Sequence, residues 1–111
     1  MAEGIIPNQL IETSENNVIT FTHASVTSST ASAYQFGKMI QISINGLSTS
    51  ASINNWTNVG SLKDGWRPKT SIVASVSNGG FLYIGTNGDI LTLGNFPVAS
   101  SSASTITFIG K

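Results

Sequence analysis

The sequence predicts an all-β domain, and three observations carry that prediction. Apolar residues recur with a period of two in several short segments, and nowhere hold an i, i+3, i+4, i+7 spacing long enough for a helix. Asn87-Gly88 separates two such segments and reads as a type I′ hairpin turn, whose two central residues both need positive φ. Ser, Thr and Asn supply 39 of the 111 residues. Ser and Asn compete with the backbone for hydrogen bonds and disfavour helix interiors, while β-branched Thr suits strands. About seven short strands at this spacing imply a β-sandwich or barrel, with immunoglobulin-like, jelly-roll and other topologies all open.

Val18–His23 reads as the first full strand, with Val18, Thr20 and Thr22 on one face and Ile19, Phe21 and His23 on the other. Ala24–Tyr34 is a Ser/Thr/Ala stretch without clear alternation, a loop or a weak edge strand. Phe36–Leu47 gives the cleanest half-buried strand. Ile40, Ile42 and Ile44 point one way, Gln41, Ser43 and Asn45 the other, and Gly46 bends its end. A polar stretch, Ser48–Asn55, leads to Trp56, and Gly60–Pro68 reads as a loop in which Pro68 biases Arg67 towards extended geometry. Ser71–Ser77 puts Ile72, Ala74 and Val76 on one face before Asn78-Gly79-Gly80 turns the chain. Phe81–Thr86 and Asp89–Leu93 flank Asn87-Gly88, and Thr105–Ile109 is the last strand. Residues 18–111 form one domain, and residues 1–17 an N-terminal extension or connector. No internal repeat or second domain is visible.

Composition excludes several functions. Five basic and five acidic residues cancel. Lys38, Lys63, Arg67, Lys69 and Lys111 cannot build the broad basic face that nucleic acid requires, and Asp64 interrupts their one cluster, which reads as a solvated loop. No apolar run approaches the roughly 18 residues of a membrane-spanning helix. The absence of cysteine rules out disulfides, thiolate metal sites and cysteine nucleophiles. Catalysis is not expected. His23 is the sole histidine, and no serine stands in a G-x-S-x-G elbow. Glu3, Glu12 and Glu15 crowd the N-terminal segment, while Asp64 and Asp89 stand in a loop and a hairpin turn, so no pair of carboxylates suggests a glycosidase. Neither a metal site nor a cofactor is expected from one histidine and scattered acids.

The order of the segments is more informative than any one of them. Gly37-Lys38-Met39-Ile40-Gln41-Ile42-Ser43-Ile44 is followed by Trp56-Thr57-Asn58-Val59-Gly60-Ser61-Leu62 and Gly65-Trp66-Arg67-Pro68. Then come Phe81-Leu82-Tyr83-Ile84-Gly85-Thr86-Asn87-Gly88-Asp89-Ile90-Leu91-Thr92-Leu93 and Thr105-Ile106-Thr107-Phe108-Ile109. Over residues 36–111 this series resembles the C-terminal head domains of bacteriophage tail-fibre, baseplate and receptor-binding proteins, notably of phages infecting Gram-positive bacteria. Lys63 departs from the proline usual there, and Trp66 from the commoner Tyr or Phe. Residues 1–17 carry neither the heptads nor the Gly-rich repeats of a fibre shaft. The resemblance implies a jelly-roll-like antiparallel β-sandwich, a homotrimer, other tail or baseplate proteins as partners, and reversible recognition of bacterial cell-surface saccharide such as wall polysaccharide or teichoic acid. A structural trimerisation or accessory module without a ligand is the alternative it leaves. The N-terminus lacks the basic and apolar regions of a signal peptide, so any route out of a cell is expected to be another one, and the resemblance implies the virion, acting at the bacterial surface.

Saccharide recognition needs flat aromatic faces for sugar C–H groups and amide, carboxylate or guanidinium groups for hydroxyls. Trp56, flanked by Asn54, Asn55 and Asn58, has that mixture, although the sequence reads it first as a core or interface tryptophan at a strand end. Tyr34 and Tyr83 are candidate surface rings, Tyr83 sharing a strand face with Phe81 and Gly85. Trp66 is read as packing its loop against the sandwich. His23 suits a strand end, a subunit boundary or a ligand contact, and Asp64 with Arg67 either a sugar or an ion pair. The candidate ligand-binding set is thus Trp56, Asn55, Tyr34, His23, Asp64 and Arg67. Asn55-Trp56-Thr57 also matches a glycosylation sequon, read as coincidence without a secretory signal.

Overall fold

A computed structural model describes residues 12–111, and residues 1–11 of the expected connector lie outside the described residues. The chain forms β1 (Glu12–Asn16), β2 (Ile19–Phe21), β3 (Val26–Phe36), β4 (Met39–Thr49) and β5 (Asn58–Leu62). It continues through β6 (Ile72–Ser75), β7 (Phe81–Ile84), β8 (Asp89–Leu93) and β9 (Ser102–Ile109). All pairings are antiparallel, in a four-stranded sheet β1-β3-β4-β9 and a five-stranded sheet β2-β5-β8-β7-β6. The two sheets form a β-sandwich.

Period-two alternation builds the core. Ile40, Ile42 and Ile44 of β4 and Ile106 and Phe108 of β9 point inward, facing Leu82, Ile84, Ile90, Val59 and Leu62 of the other sheet. Ile72, Ala74 and Val76 share the inner side of β6 and its extension, as the sequence predicts. Gly46 has φ 62° and stands where the β4–β9 register slips, so the expected bend is a bulge inside β4.

Three expectations change. The Ser/Thr/Ala stretch is not a loop but most of an eleven-residue strand, β3, paired with β4 along its length and covered by β1 only over Ser32–Phe36, so its first half is an edge. Its inward residues are Ala31 and Ala33, whose small side chains leave little hydropathy contrast to read. Val59–Leu62, expected partly as loop, lies in β5 between β2 and β8. Gly60 hides this strand by breaking the alternation, with Val59 and Gly60 both buried at a register shift. A Cβ at Gly60 would stand 2.5 Å from the Thr20 carbonyl oxygen, so close approach of β2 requires glycine there. Finally, the Asn87-Gly88 turn is not type I′, because only Gly88 has positive φ, at 92°. The loop is three residues long, Thr86–Gly88. The Gly88 N–H donates to Gly85 O at 3.0 Å, and the Gly85 N–H to Asp89 O at 2.9 Å. The Asn87 carboxamide oxygen accepts from the Asp89 N–H at 3.0 Å, holding Asn87 out of the left-handed region that a type I′ turn demands. Ser77-Asn78-Gly79 repeats the device, with Gly79 at φ 92° and Asn78 accepting from the Gly80 N–H at 2.9 Å.

The four-stranded sheet begins at Glu12, within the stretch read as connector. After β1 the chain crosses to the other sheet at Asn17, which adopts φ 58°. On the opposite side, backbone donors from Ser77 and Lys69 reach Ala103 O and Ile109 O of β9 at 3.0 and 2.9 Å and join the two layers.

Candidate functional site

Loops gather at two ends of the sandwich, and the ends differ in chemistry. Residues 22–25, 50–57, 76–80 and 94–101 are linked at one end by bonds such as Ser50 N–H to Ser25 O, Thr49 N–H to Ala99 O and the Asn78 amide to Pro97 O. These loops contain no Lys, Arg, Asp or Glu. The other end holds Lys38, Lys63, Asp64, Arg67, Lys69, Asp89 and Lys111. It is joined by Lys111 N–H to Arg67 O, Gly110 N–H to Lys38 O and the Lys111 ammonium to Thr86 O. Glu12 pairs in register with Phe36 at this charged end.

Trp56 stands at the corner between the uncharged end and the outer face of the five-stranded sheet. It is 53% exposed, so it is not a core residue, and its backbone is left-handed at φ 57°. For a bulky residue that conformation costs about 1–2 kcal/mol. It persists because the turn is clamped to Thr92, which is fully buried. The Trp56 N–H donates to Thr92 O at 2.9 Å and the Thr92 N–H to Thr57 O at 3.0 Å. The Thr92 hydroxyl donates to Asn54 O at 2.5 Å and accepts from the Thr57 N–H at 3.1 Å. Asn55 adds a bond from the Gly94 N–H to its carboxamide oxygen at 2.7 Å. Ile53 and Phe96 exchange backbone bonds of 2.9 and 2.8 Å and fix the start of the loop.

The indole meets Tyr83 edge-to-face, with ring centroids 5.5 Å apart and planes at 75°. Tyr83 lies in an outward-facing row, Val73–Tyr83–Leu91–Asn58, beside a second row, Ser75–Phe81–Leu93. Val73 and Phe81 are exposed. Polar groups rim this apolar strip. The Tyr83 hydroxyl donates to Ser71 Oγ at 2.8 Å. Asn55 and Asn58 spend their carboxamide oxygens on the Gly94 and Gly60 N–H groups, which leaves their NH2 groups as donors.

The six expected site residues do not converge. Trp56 and Asn55 share one turn. His23 belongs to the same end but to the β2 side, where its Nδ1 accepts from the Ser25 N–H at 3.1 Å. Tyr34 lies on the outer face of the opposite sheet. There its hydroxyl donates to Glu12, and that bond holds the phenol above its ordinary value of 10.0. Asp64 and Arg67 stand at the charged end, 3.9 Å apart, with Arg67 Nε also donating to Leu62 O at 2.9 Å.

The charged end is built around a second tryptophan. Trp66 is 6% exposed and donates its indole N–H to Glu15 at 2.8 Å. Glu15 also pairs with Lys63. The hydrogen bonds from Lys63 and Trp66 hold the Glu15 carboxyl below its ordinary value of 4.5. This cluster ties β1 of one sheet to the β5–β6 loop of the other.

Sequence reasoning missed Thr92, Val73, Leu91 and Leu93 as site residues. The available signal was Asp89–Leu93 alternation, which puts Leu91 and Leu93 on one face and Ile90 and Thr92 on the other. Among the described residues no three His, Asp or Glu side chains come together as a metal site. No protein-family model matches the sequence, and no curated protein matches it.

Proposed function

We propose that this chain is a non-catalytic receptor-binding head domain of a phage tail fibre or baseplate, recognising saccharide on the bacterial surface. In this reading the sandwich is jelly-roll-like and assembles as a homotrimer beside other tail proteins on the virion. One observation carries the saccharide reading: a half-exposed tryptophan is locked in a left-handed turn on an uncharged, amide- and hydroxyl-rich corner. Conformational strain held in place by buried hydrogen bonds is a mark of functional positions. An indole face supplies apolar area for sugar C–H groups, and surrounding amides orient the hydroxyls. Glu12 and Lys111 both lie at the charged end, so a particle joined there leaves Trp56 facing outward.

A second reading, a structural trimerisation module without ligand, draws on the opposite sheet. Phe36, Met39 and Ile109 form an exposed cross-strand row there, next to Tyr34–Gln41–Thr107. Tyr34, Phe36, Met39, Gln41 and Thr107 border a shallow groove of about 190 Å³. Exposed apolar patches of this kind mark protein interfaces.

Light scattering coupled to size exclusion, followed by binding of purified Gram-positive wall saccharides, tests both readings. A mass three times that of the 11.6 kDa chain, with saccharide binding lost in Trp56→Ala at unchanged mass, is the expected result. A trimer that binds no saccharide selects the structural module. A monomer without saccharide binding overturns both.

A further inference from the structure

The geometry points to an uncharged saccharide, rather than a phosphate- or uronate-bearing one, as the ligand of the Trp56–Tyr83 corner; this rests on the saccharide-recognition reading above. The argument is the distribution of charge. Among the described residues no Lys or Arg stands in the loops of the Trp56 end, nor in the two outward rows Val73–Tyr83–Leu91–Asn58 and Ser75–Phe81–Leu93. An anionic ligand bound there would have no cation to replace the water it loses, and burying an unpaired charge is costly.

Charge on this face begins only towards the other end. Asp89 lies two residues from Leu91 on β8, about 7 Å further along the strand, and points to the same side. Its carboxylate accepts from the Asn87 amide at 3.1 Å. The cations Lys63, Arg67 and Lys111 stand at that same end as Asp89, engaged with Glu15, Leu62 O and Thr86 O, so charge of both signs collects beyond Tyr83 and away from the Trp56 turn. What the corner offers is a set of neutral groups: the NH2 groups of Asn55 and Asn58 and the Ser71 hydroxyl as donors, with the Tyr83 oxygen as an acceptor. These match the hydroxyl, ring and acetamido oxygens of an uncharged polysaccharide.

The experiment uses the full chain in its native assembly. Wall polysaccharide released from a panel of Gram-positive cells is separated by anion exchange into unretained and retained fractions, and each is titrated calorimetrically. Binding is expected in the unretained fraction, with an affinity that changes less than about twofold between roughly 50 and 500 mM NaCl, because no ion pair is there to screen. Binding confined to the retained fraction, or weakening by about tenfold or more across that salt range, overturns the uncharged-ligand inference and leaves saccharide recognition standing. Binding in neither fraction across the panel removes the saccharide reading itself.

Discussion

The two tryptophans stand ten residues apart in sequence and do opposite things. Trp66 is buried with its N–H satisfied by Glu15, and it fastens a loop of one sheet to the edge strand of the other. Trp56 is half-exposed, held in a backbone conformation that a tryptophan would otherwise avoid, and meets Tyr83 edge-to-face. Around Trp66 charges neutralise one another. Around Trp56 the loops carry none. A buried indole that earns its place by packing can be told from a displayed one by what fixes it: hydrophobic enclosure in the first case, a backbone clamp in the second.

The largest effect expected from breaking this contrast is at the packed ring. Trp66→Ala removes a buried aromatic and leaves Glu15 without its indole donor, costing about 3–5 kcal/mol. Denaturant unfolding measures it, and a loss below about 0.5 kcal/mol, the range of surface substitutions, would contradict the packing role. Thr92→Val comes next. It preserves shape while stripping Asn54 O and Thr57 N–H of their buried partner, so about 1–3 kcal/mol should be lost. The Trp56 loop should also gain hydrogen-exchange rate relative to the charged end.

Trp56→Gly sharpens the comparison from the other side. Relief of left-handed strain, about 1–2 kcal/mol, is offset by loss of the aromatic contact, about 0.5–1.5 kcal/mol. Stability should therefore move by no more than about 1.5 kcal/mol while saccharide binding disappears; a collapse of stability would give Trp56 a packing role as well. The smallest effect belongs to Glu15→Gln. The Glu15 carboxyl is lowered in the folded state, so its contribution is present above the ordinary value of 4.5 and is lost as pH falls through the lower folded value. Wild type and variant should differ in thermal midpoint at neutral pH and converge in acid, and a gap independent of pH would show that the ion pair contributes nothing.

Strands with strong contrast were legible in the sequence. Ile40, Ile42 and Ile44 announce β4, and Ile72, Ala74 and Val76 announce the inner face of β6, because large apolar groups alternate with polar ones. Strand β3 stayed ambiguous because Ala31 and Ala33 face the core and barely differ in hydropathy from the serines between them. Strand β5 was partly obscured because Gly60 sits where backbone approach, rather than side-chain packing, sets the residue. The hairpin at Asn87-Gly88 was legible as a turn. Its type was not, because the Asn87 side chain chose a three-residue loop over a two-residue one.

The candidate site divides in the same way. Trp56 and Asn55 belong together because they are consecutive, and their residue types alone mark an aromatic with an amide beside it. That Tyr83 joins them while Tyr34, Asp64 and Arg67 do not depends on strand register and on which sheet each strand enters, both long-range properties. Sequence by itself determined the β class and the scarcity of charge, because alternation and composition are local. Tertiary structure alone decided that the charges collect at one end and that a buried threonine holds Trp56 at the other. Those arrangements arise only when residues distant along the chain are brought into one layer.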